Sequence, residues 1–224
     1  MVVKDGLEKK TNLGKEHFLK LLEADNKDFK YCPKLTRGHL EVKGNERQRT
    51  KPAIQLFSCT VAKFFRHKFG QLYVDQSKII ELIDAWFDCM NTRIKYGVKD
   101  FQCALGVHEK SQLETLNLMY NLVNNMYFPT KKGTLVQKPF QTGIIVSIRA
   151  TSELFCELKN EGISYLLTSR LNQDCIENVF SQIRQMGGHY SHPTSVEFIN
   201  RIRKAIRIMY RYSKHCIFTP DQNS

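Results

Sequence analysis

No stretch of this chain approaches the run of ~18 apolar residues that a membrane-spanning helix needs, and its opening, MVVKDGLEKK, lacks the apolar core of a signal peptide. A soluble, intracellular protein without a membrane partner is the expectation. Cysteine is present but without order. The 7 residues, Cys32, Cys59, Cys89, Cys103, Cys156, Cys175 and Cys216, are odd in number and scattered, with no CxxC pair to build a zinc or dithiol site. Reduced, mostly buried thiols are the expected state. Segments that alternate as strands are almost lacking, and no internal repeat is visible. Acid is scarce against base: 22 Asp and Glu face 34 Lys and Arg, a net charge of +12 that favours polyanionic partners, nucleic acid ahead of membrane.

What is there is helix. A chain of 224 residues, 42% hydrophobic and 11% aromatic, can form one large domain or two small ones around a real core. Lys15–Ala24, KEHFLKLLEA, is short and amphipathic, and a polar link through Cys32 and Pro33 follows. The next helix has Thr50 as a cap, Pro52 in its first turn, a face of Ile54, Phe57, Val61, Phe64 and Phe65, and Gly70 as its end. Asp75 caps another, with Ile79, Ile83, Trp86, Met90 and Ile94 on one face and Gly97 as the stop. Ser111 and Glu114 have the spacing of a capping box ahead of Leu116, Met119, Tyr120 and Val123, and Pro129 ends that helix. After the basic link KKGTLVQKP, a further helix carries Ile144, Ile148, Phe155 and Leu158.

The segment from Leu167 to Gly188, LTSRLNQDCIENVFSQIRQMGG, combines an extended approach, Asn172 as a cap, and a helix on Ile176, Val179, Phe180 and Ile183 that stops at Gly187 and Gly188. Asp174 and Glu177 stand in its first turns, where the helix dipole alone favours acid by roughly 0.3–1 kcal/mol per residue. The last helix, SVEFINRIRKAIRIMYRYSK, is expected to bury Val196, Ile199, Ile202, Ile206 and Met209. It presents Arg201, Arg203, Lys204, Arg207, Arg211 and Lys214 either as a solvated face or as a strip for phosphate backbone. In WFDCMN, Asp88 and Asn91 are three apart beside Phe87. That is an ordinary helix surface or a guanine reader: the carboxylate takes both guanine edge donors, the amide reads the carbonyl and the ring stacks on the base.

One contiguous stretch bears on such alternatives. LLTSRLNQDCIENVFSQIRQMGGHYSHPTSVEFINRIR resembles the C-terminal catalytic segment of the P-element transposase family, which includes the THAP-domain transposases. The family pattern is LT.RLNQD.LE..F..IR..GG....PT...F..R.R, from which this chain departs mainly by Ile176 for Leu. Upstream, PKLTRGHLEVKGNERQRTKPAIQLFSCTVA and FDCMNTR are similar to the helical GTP-binding insertion that interrupts the family's RNase H-like domain. Together these cover roughly residues 30–210.

The resemblance implies roles. Glu177 becomes the third carboxylate of a DDE triad, which with two aspartates holds two Mg²⁺ ions for phosphodiester chemistry. Phe87, Asp88 and Asn91 become the guanine reader for GTP, with Asp174 in support and Lys51 as a cationic contact to the nucleotide. Arg201, Arg203, Lys204, Arg207 and Arg211 become DNA contacts. It also implies a nuclear location and admits a homo-oligomer. The departures are as informative. The family's two aspartates lie on strands ahead of the insertion, the second in a segment like DPPHLLKNIRN, and neither that segment nor a THAP zinc finger is found here. The expected fold is therefore mainly α, a helical insertion domain followed by the C-terminal helices of a split RNase H-like domain. Its expected parts are an N-terminal segment over 1–29, the insertion-like domain over 30–160, the RNase H-like segment over 161–214 and a tail over 215–224. The expected function is that of a transposon-derived transposase fragment, GTP-binding and DNA-associated, without catalytic activity of its own. The alternative is a helical protein-interaction module that has no nucleotide or DNA chemistry.

Overall fold

The structure, a computed structural model, describes residues 1–5, 9–25, 29–188 and 192–216. The chain divides into two compact units, Met1–Ser169 and Arg170–Ser224. Both are built mainly from helix.

The first unit has a feature that the sequence pattern does not announce, a small antiparallel sheet. β1 (Val2–Asp5) pairs with β2 (Lys9–Asn12) as a hairpin and, on its other side, with β3 (Met126–Pro129), which pairs with β4 (Leu135–Val136). Val3 faces Thr11 in one neighbour and Met126 in the other, and Val3 and Met126 are both buried. Strands of four residues such as VVKD and KKTN are too short and too charged to show a period of two. MYFP continues the apolar run of the helix before it, which is why Pro129 read as a helix end.

α1 (Lys15–Ala24) has the expected bounds and buries Phe18 and Leu21. The helix expected from Thr50 to Gly70 is two, α2 (Thr50–Leu56) and α3 (Cys59–Phe69), parted where Ser58 turns extended. Phe57 sits at the break with its ring edge-on to Phe18, 5.9 Å between centroids, and the Ser58 hydroxyl donates to the Gln55 carbonyl at 3.1 Å. Gly70, at φ +55°, ends α3 in a conformation that suits a residue without Cβ.

α4 (Val74–Cys89) stops well short of Gly97, so Ile94 is no part of its apolar face and is exposed. The cause is a pair of buried threonines. The Thr92 amide donates to Thr168 Oγ1 at 3.0 Å, and that hydroxyl donates to the Cys89 carbonyl at 2.7 Å, turning the chain out of the helix. α5 (Glu109–Asn124) begins ahead of Ser111, so the Ser111–Glu114 box does not form. Buried Gln112 holds the approach instead: its Oε1 accepts from the amides of Gly106 (2.9 Å) and His108 (3.2 Å), and its Nε2 donates to the carbonyls of Cys103 and Ala104. α6 (Pro139–Asn160) closes the unit, with Pro at its start and Ile148 and Phe155 inward. Phe18, Leu21, Phe65, Ile80, Leu116, Val123 and Phe155 belong to one continuous core.

The second unit is a helical pair, α7 (Asp174–Gln185) and α8 (Ser195–Cys216), with Gln173 rather than Asn172 at the cap position of α7. Ile183 and Ala205 are buried, and Phe180 stacks on Phe198 with the rings 11° apart. α8 was expected to bury Val196, Ile199 and Ile206, yet these are 70%, 49% and 59% exposed. One facing helix covers one stripe, and α8 carries more apolar surface than that stripe. Met209 lies where side chains are outside the described set.

Candidate functional site

The trio of Phe87, Asp88 and Asn91 lies at the C-terminal end of α4. Phe87 and Asp88 occupy its last turn, and Asn91 lies just beyond in a further turn, its amide donating to the Asp88 carbonyl at 3.1 Å. Asn91 Nδ2 donates to the Phe87 carbonyl at 3.0 Å, so the three residues form one local unit. Phe87 is half-buried and takes no part in the ring–ring contacts of the described residues.

The carboxylate of Asp88 is not bare. Gln102 Nε2 donates to its Oδ2 at 3.1 Å, and Lys99 Nζ is 3.8 Å from that oxygen and 3.8 Å from Asp84 Oδ2. Burial pushes the Asp84 carboxyl above its usual range, the neighbouring Asp88 adds to the effect, and Lys99 opposes it. Asp84 also accepts the backbone amide of Cys59, so the start of α3 is tied to this face of α4. Lys99 and Gln102 were absent from the sequence reading, because they come from a loop with no period to mark them.

Lys51 projects from α2 beside a pocket of about 470 Å³, where Lys34, Gln55, Ser58 and Thr60 also line the wall. Ser58 and Thr60 flank Cys59, whose amide bonds Asp84, so the first turn of α3 touches both the Lys51 pocket and the α4 surface. The pocket's size is within the range of small-ligand sites. Two lysines and two hydroxyls are the donor set an anionic group needs.

The threonine pair joins the two sequence stretches that carried the resemblance. Thr92 of FDCMNTR and Thr168 of LLTSR exchange a hydroxyl–hydroxyl bond of 2.9 Å across 76 residues, and the Thr168 amide donates to Thr92 Oγ1 at 3.1 Å. Nothing in the local pattern marks either as buried.

In the second unit, Glu177 stands exposed on α7, and the side chain of Asp174 lies outside the described set. Among the described residues no three His, Cys, Asp or Glu side chains gather as a metal site. On α8, Arg203, Lys204 and Arg207 are exposed, and Arg211 has its side chain outside the described set. Arg201 behaves differently. Its Nη1 donates to the carbonyls of Arg184 (3.3 Å) and Ile183 (3.5 Å), capping the end of α7, and its guanidinium lies against Gly187. No helix among the described residues is long and apolar enough to cross a membrane.

Residues 169–200 match a family described as the TNP-like RNase H C-terminal domain. The transposable element P transposase of Drosophila melanogaster is 31% identical over 204 residues, which is 87% of this chain and 26% of that protein. The chain is a homologue of P-element transposase. A solved structure of the Drosophila P element transposase strand transfer complex is 30% identical and superposes with a TM-score of 0.75, covering 88% of this chain and 45% of that one. The homology therefore runs through both units, and the helical pair corresponds to the end of an RNase H-like domain. The chain spans about a quarter of the curated relative's length.

Proposed function

We propose that this transposase-like chain is the guanine-nucleotide-binding and DNA-associated portion of a P-element-type transposase. The observation that carries the nucleotide reading is the local unit of Phe87, Asp88 and Asn91 at the end of α4. A carboxylate there accepts the N1–H and N2–H donors of guanine, an amide answers O6 and a ring stacks on the base. Adenine presents an acceptor at N1, which repels the same carboxylate, so GTP is favoured over ATP. Gln102 now donates to Asp88, and a base would replace that bond. Lys51, with Lys34 in the same pocket, supplies cations for phosphate. Asp174 is assigned a supporting role at the nucleotide site.

The DNA reading rests on the exposed Arg203, Lys204 and Arg207 of α8 and on the relative's strand transfer complex with its nucleic-acid chemistry. A DNA partner fits a nuclear location. Glu177 is proposed as the third metal-holding carboxylate. One carboxylate does not make a two-metal centre, and among the described residues no second and third gather with Glu177 to hold Mg²⁺.

Calorimetric titration of the purified chain with GTP and with ATP tests the nucleotide reading. Saturable binding of GTP over ATP is expected, weakened by about 1–3 kcal/mol in Asp88→Ala, since a guanine edge is then left unpaired. Equal affinity for both nucleotides, or an Asp88→Ala chain that binds GTP as the parent does, would refute it. A second reading, a helical interaction module without nucleotide chemistry, draws on the exposed apolar residues Val196, Ile199 and Ile206. Absence of all nucleotide binding would move the assignment to it.

A further inference from the structure

Beyond the end of α1 the chain carries two aromatic rings out to solvent and fixes them there. Phe29 is 79% exposed and Tyr31 54%. Buried Asp25 holds the backbone beneath them, its Oδ1 accepting from the Tyr31 amide at 2.7 Å and its Oδ2 from the Cys32 amide at 2.9 Å. The Tyr31 ring stacks on buried Phe64 of α3, 5.0 Å between centroids and 16° from parallel, and meets His67 at 5.6 Å. Phe29 stands edge-on to Tyr31 at 6.1 Å. Scattered exposed apolar residues need no explanation, but neighbouring rings held by hydrogen bonds and stacking form a patch, and such patches mark binding surfaces.

The charge around the rings has one sign. In residues 29–34 and 63–68 every charged side chain is basic. Arg66 is paired with Glu81 at 2.6 Å, whereas Lys30, Lys63 and Lys68 are exposed and have no acidic partner among the described residues. Lys63 lies one helical turn from His67 and Lys68 one turn from Phe64, so the two lysines flank the ridge that Tyr31 covers. Rings fixed amid cations without acids to neutralise them match the chemistry of a nucleic-acid strand: the rings stack on bases and the ammonium groups follow the phosphates. A duplex has the phosphates too, but its base faces are already stacked on one another and offer the rings nothing.

We propose that Phe29 and Tyr31, with Lys30, Lys63 and Lys68, form a stacking site for single-stranded DNA. Every base has a face to offer, so the site carries no strong sequence preference. The choice of DNA over RNA rests on the DNA association proposed above; the stacking itself uses no residue of α8 and none of the Phe87, Asp88 and Asn91 unit.

The test is fluorescence anisotropy of the purified chain with a labelled oligothymidylate of about 12 nucleotides and with a duplex of the same length. Phe29→Ala combined with Tyr31→Leu, which keeps an apolar cover on Phe64, should weaken binding of the single strand about tenfold and leave duplex binding unchanged. Phe29→Ala alone, at a side chain too exposed to carry the fold, should give about a threefold loss. Replacing Lys63 and Lys68 by Ala should lower the single-strand salt slope by about 1.4, at roughly 0.7 for each phosphate, while the ring variants keep the parent's slope. No binding of the single strand overturns the proposal. So does an equal loss on single strand and duplex in the ring variants, and so does a ring variant that binds the single strand as the parent does, which would leave the rings as a surface for protein. A tenfold preference for oligouridylate over oligothymidylate would overturn the assignment to DNA. A parent chain that binds the single strand but no duplex would refute the α8 reading and leave this site standing.

Discussion

Arg201 belongs to a basic helix, yet its guanidinium is committed to the carbonyls that end α7 and lies where a side chain on Gly187 would go. A Cβ at Gly187 would collide with that guanidinium. Gly187→Ala should therefore push Arg201 aside and loosen the helical pair by about 1–2 kcal/mol, through the loss of charge-assisted bonds. Hydrogen exchange of the α7 amides measures this, and unchanged protection would refute it. Two buried thiols make a second residue-scale prediction. Burial pushes Cys32 up to about 11 and Cys89 up to about 12, each with a neighbouring aspartate adding to the rise, from an ordinary value of 9.0. Well below pH 9 both thiols are protonated in the folded and unfolded chains alike. Above it the unfolded thiols ionise first, the unfolded state binds fewer protons, and stability falls as pH rises through 11 and 12. Urea midpoints should decline between pH 8.5 and 10.5 in the parent, and less steeply in the Cys32→Ser, Cys89→Ser double variant. Asp88 and Asn91 can be singled out as candidates at this scale because their chemistry is carried by residue type. Lys99 and Gln102, which now hold the Asp88 carboxylate, cannot, since a loop brings them in from 11 and 14 residues away.

At the scale of the element, helix existence was legible and helix ends were not. α1 and the α7 core follow directly from a 3.6-residue period, while the end of α4 at Cys89 is made by long-range hydrogen bonds and the break at Ser58 goes with the ring contact of Phe57 on Phe18, neither of which a local pattern contains. A start signal at α8 did exist. Thr194 and Glu197 form a reciprocal cap, with Glu197 Oε2 accepting from the Thr194 amide at 2.9 Å and the Glu197 amide donating to Thr194 Oγ1 at 3.4 Å. The sheet was beyond reach because β1 meets β3 across more than a hundred residues. The threonine link is where an element end can be tested. Thr168→Val removes the hydroxyl while keeping the shape, leaving the Cys89 carbonyl and the Thr92 amide buried without that partner. A loss of about 2–3 kcal/mol is expected in urea unfolding, against less than about 1 kcal/mol for Thr168→Ser, which retains the hydroxyl. Equal losses in the two variants would show that the methyl group matters and the hydrogen bonds do not.

For the whole molecule, a net charge of +12 favours a polyanionic partner, and the proposed DNA contact divides the basic residues of α8 by what each already bonds. Release of counterions from DNA makes log Kd vary with log salt, with a slope near 0.9 for each phosphate neutralised. Arg203, Lys204 and Arg207 are exposed along α8, so replacing all three by Ala should lower that slope by about 2 to 3 and weaken binding to every duplex sequence alike. Arg201 is spoken for by α7, so Arg201→Ala should loosen the helical pair and leave the salt slope nearly unchanged. Fluorescence anisotropy with a labelled duplex at several salt concentrations separates the two outcomes. If the triple variant keeps the parent's slope, α8 is not the DNA-facing surface, and its uncovered Val196, Ile199 and Ile206 then mark it as a surface for protein instead.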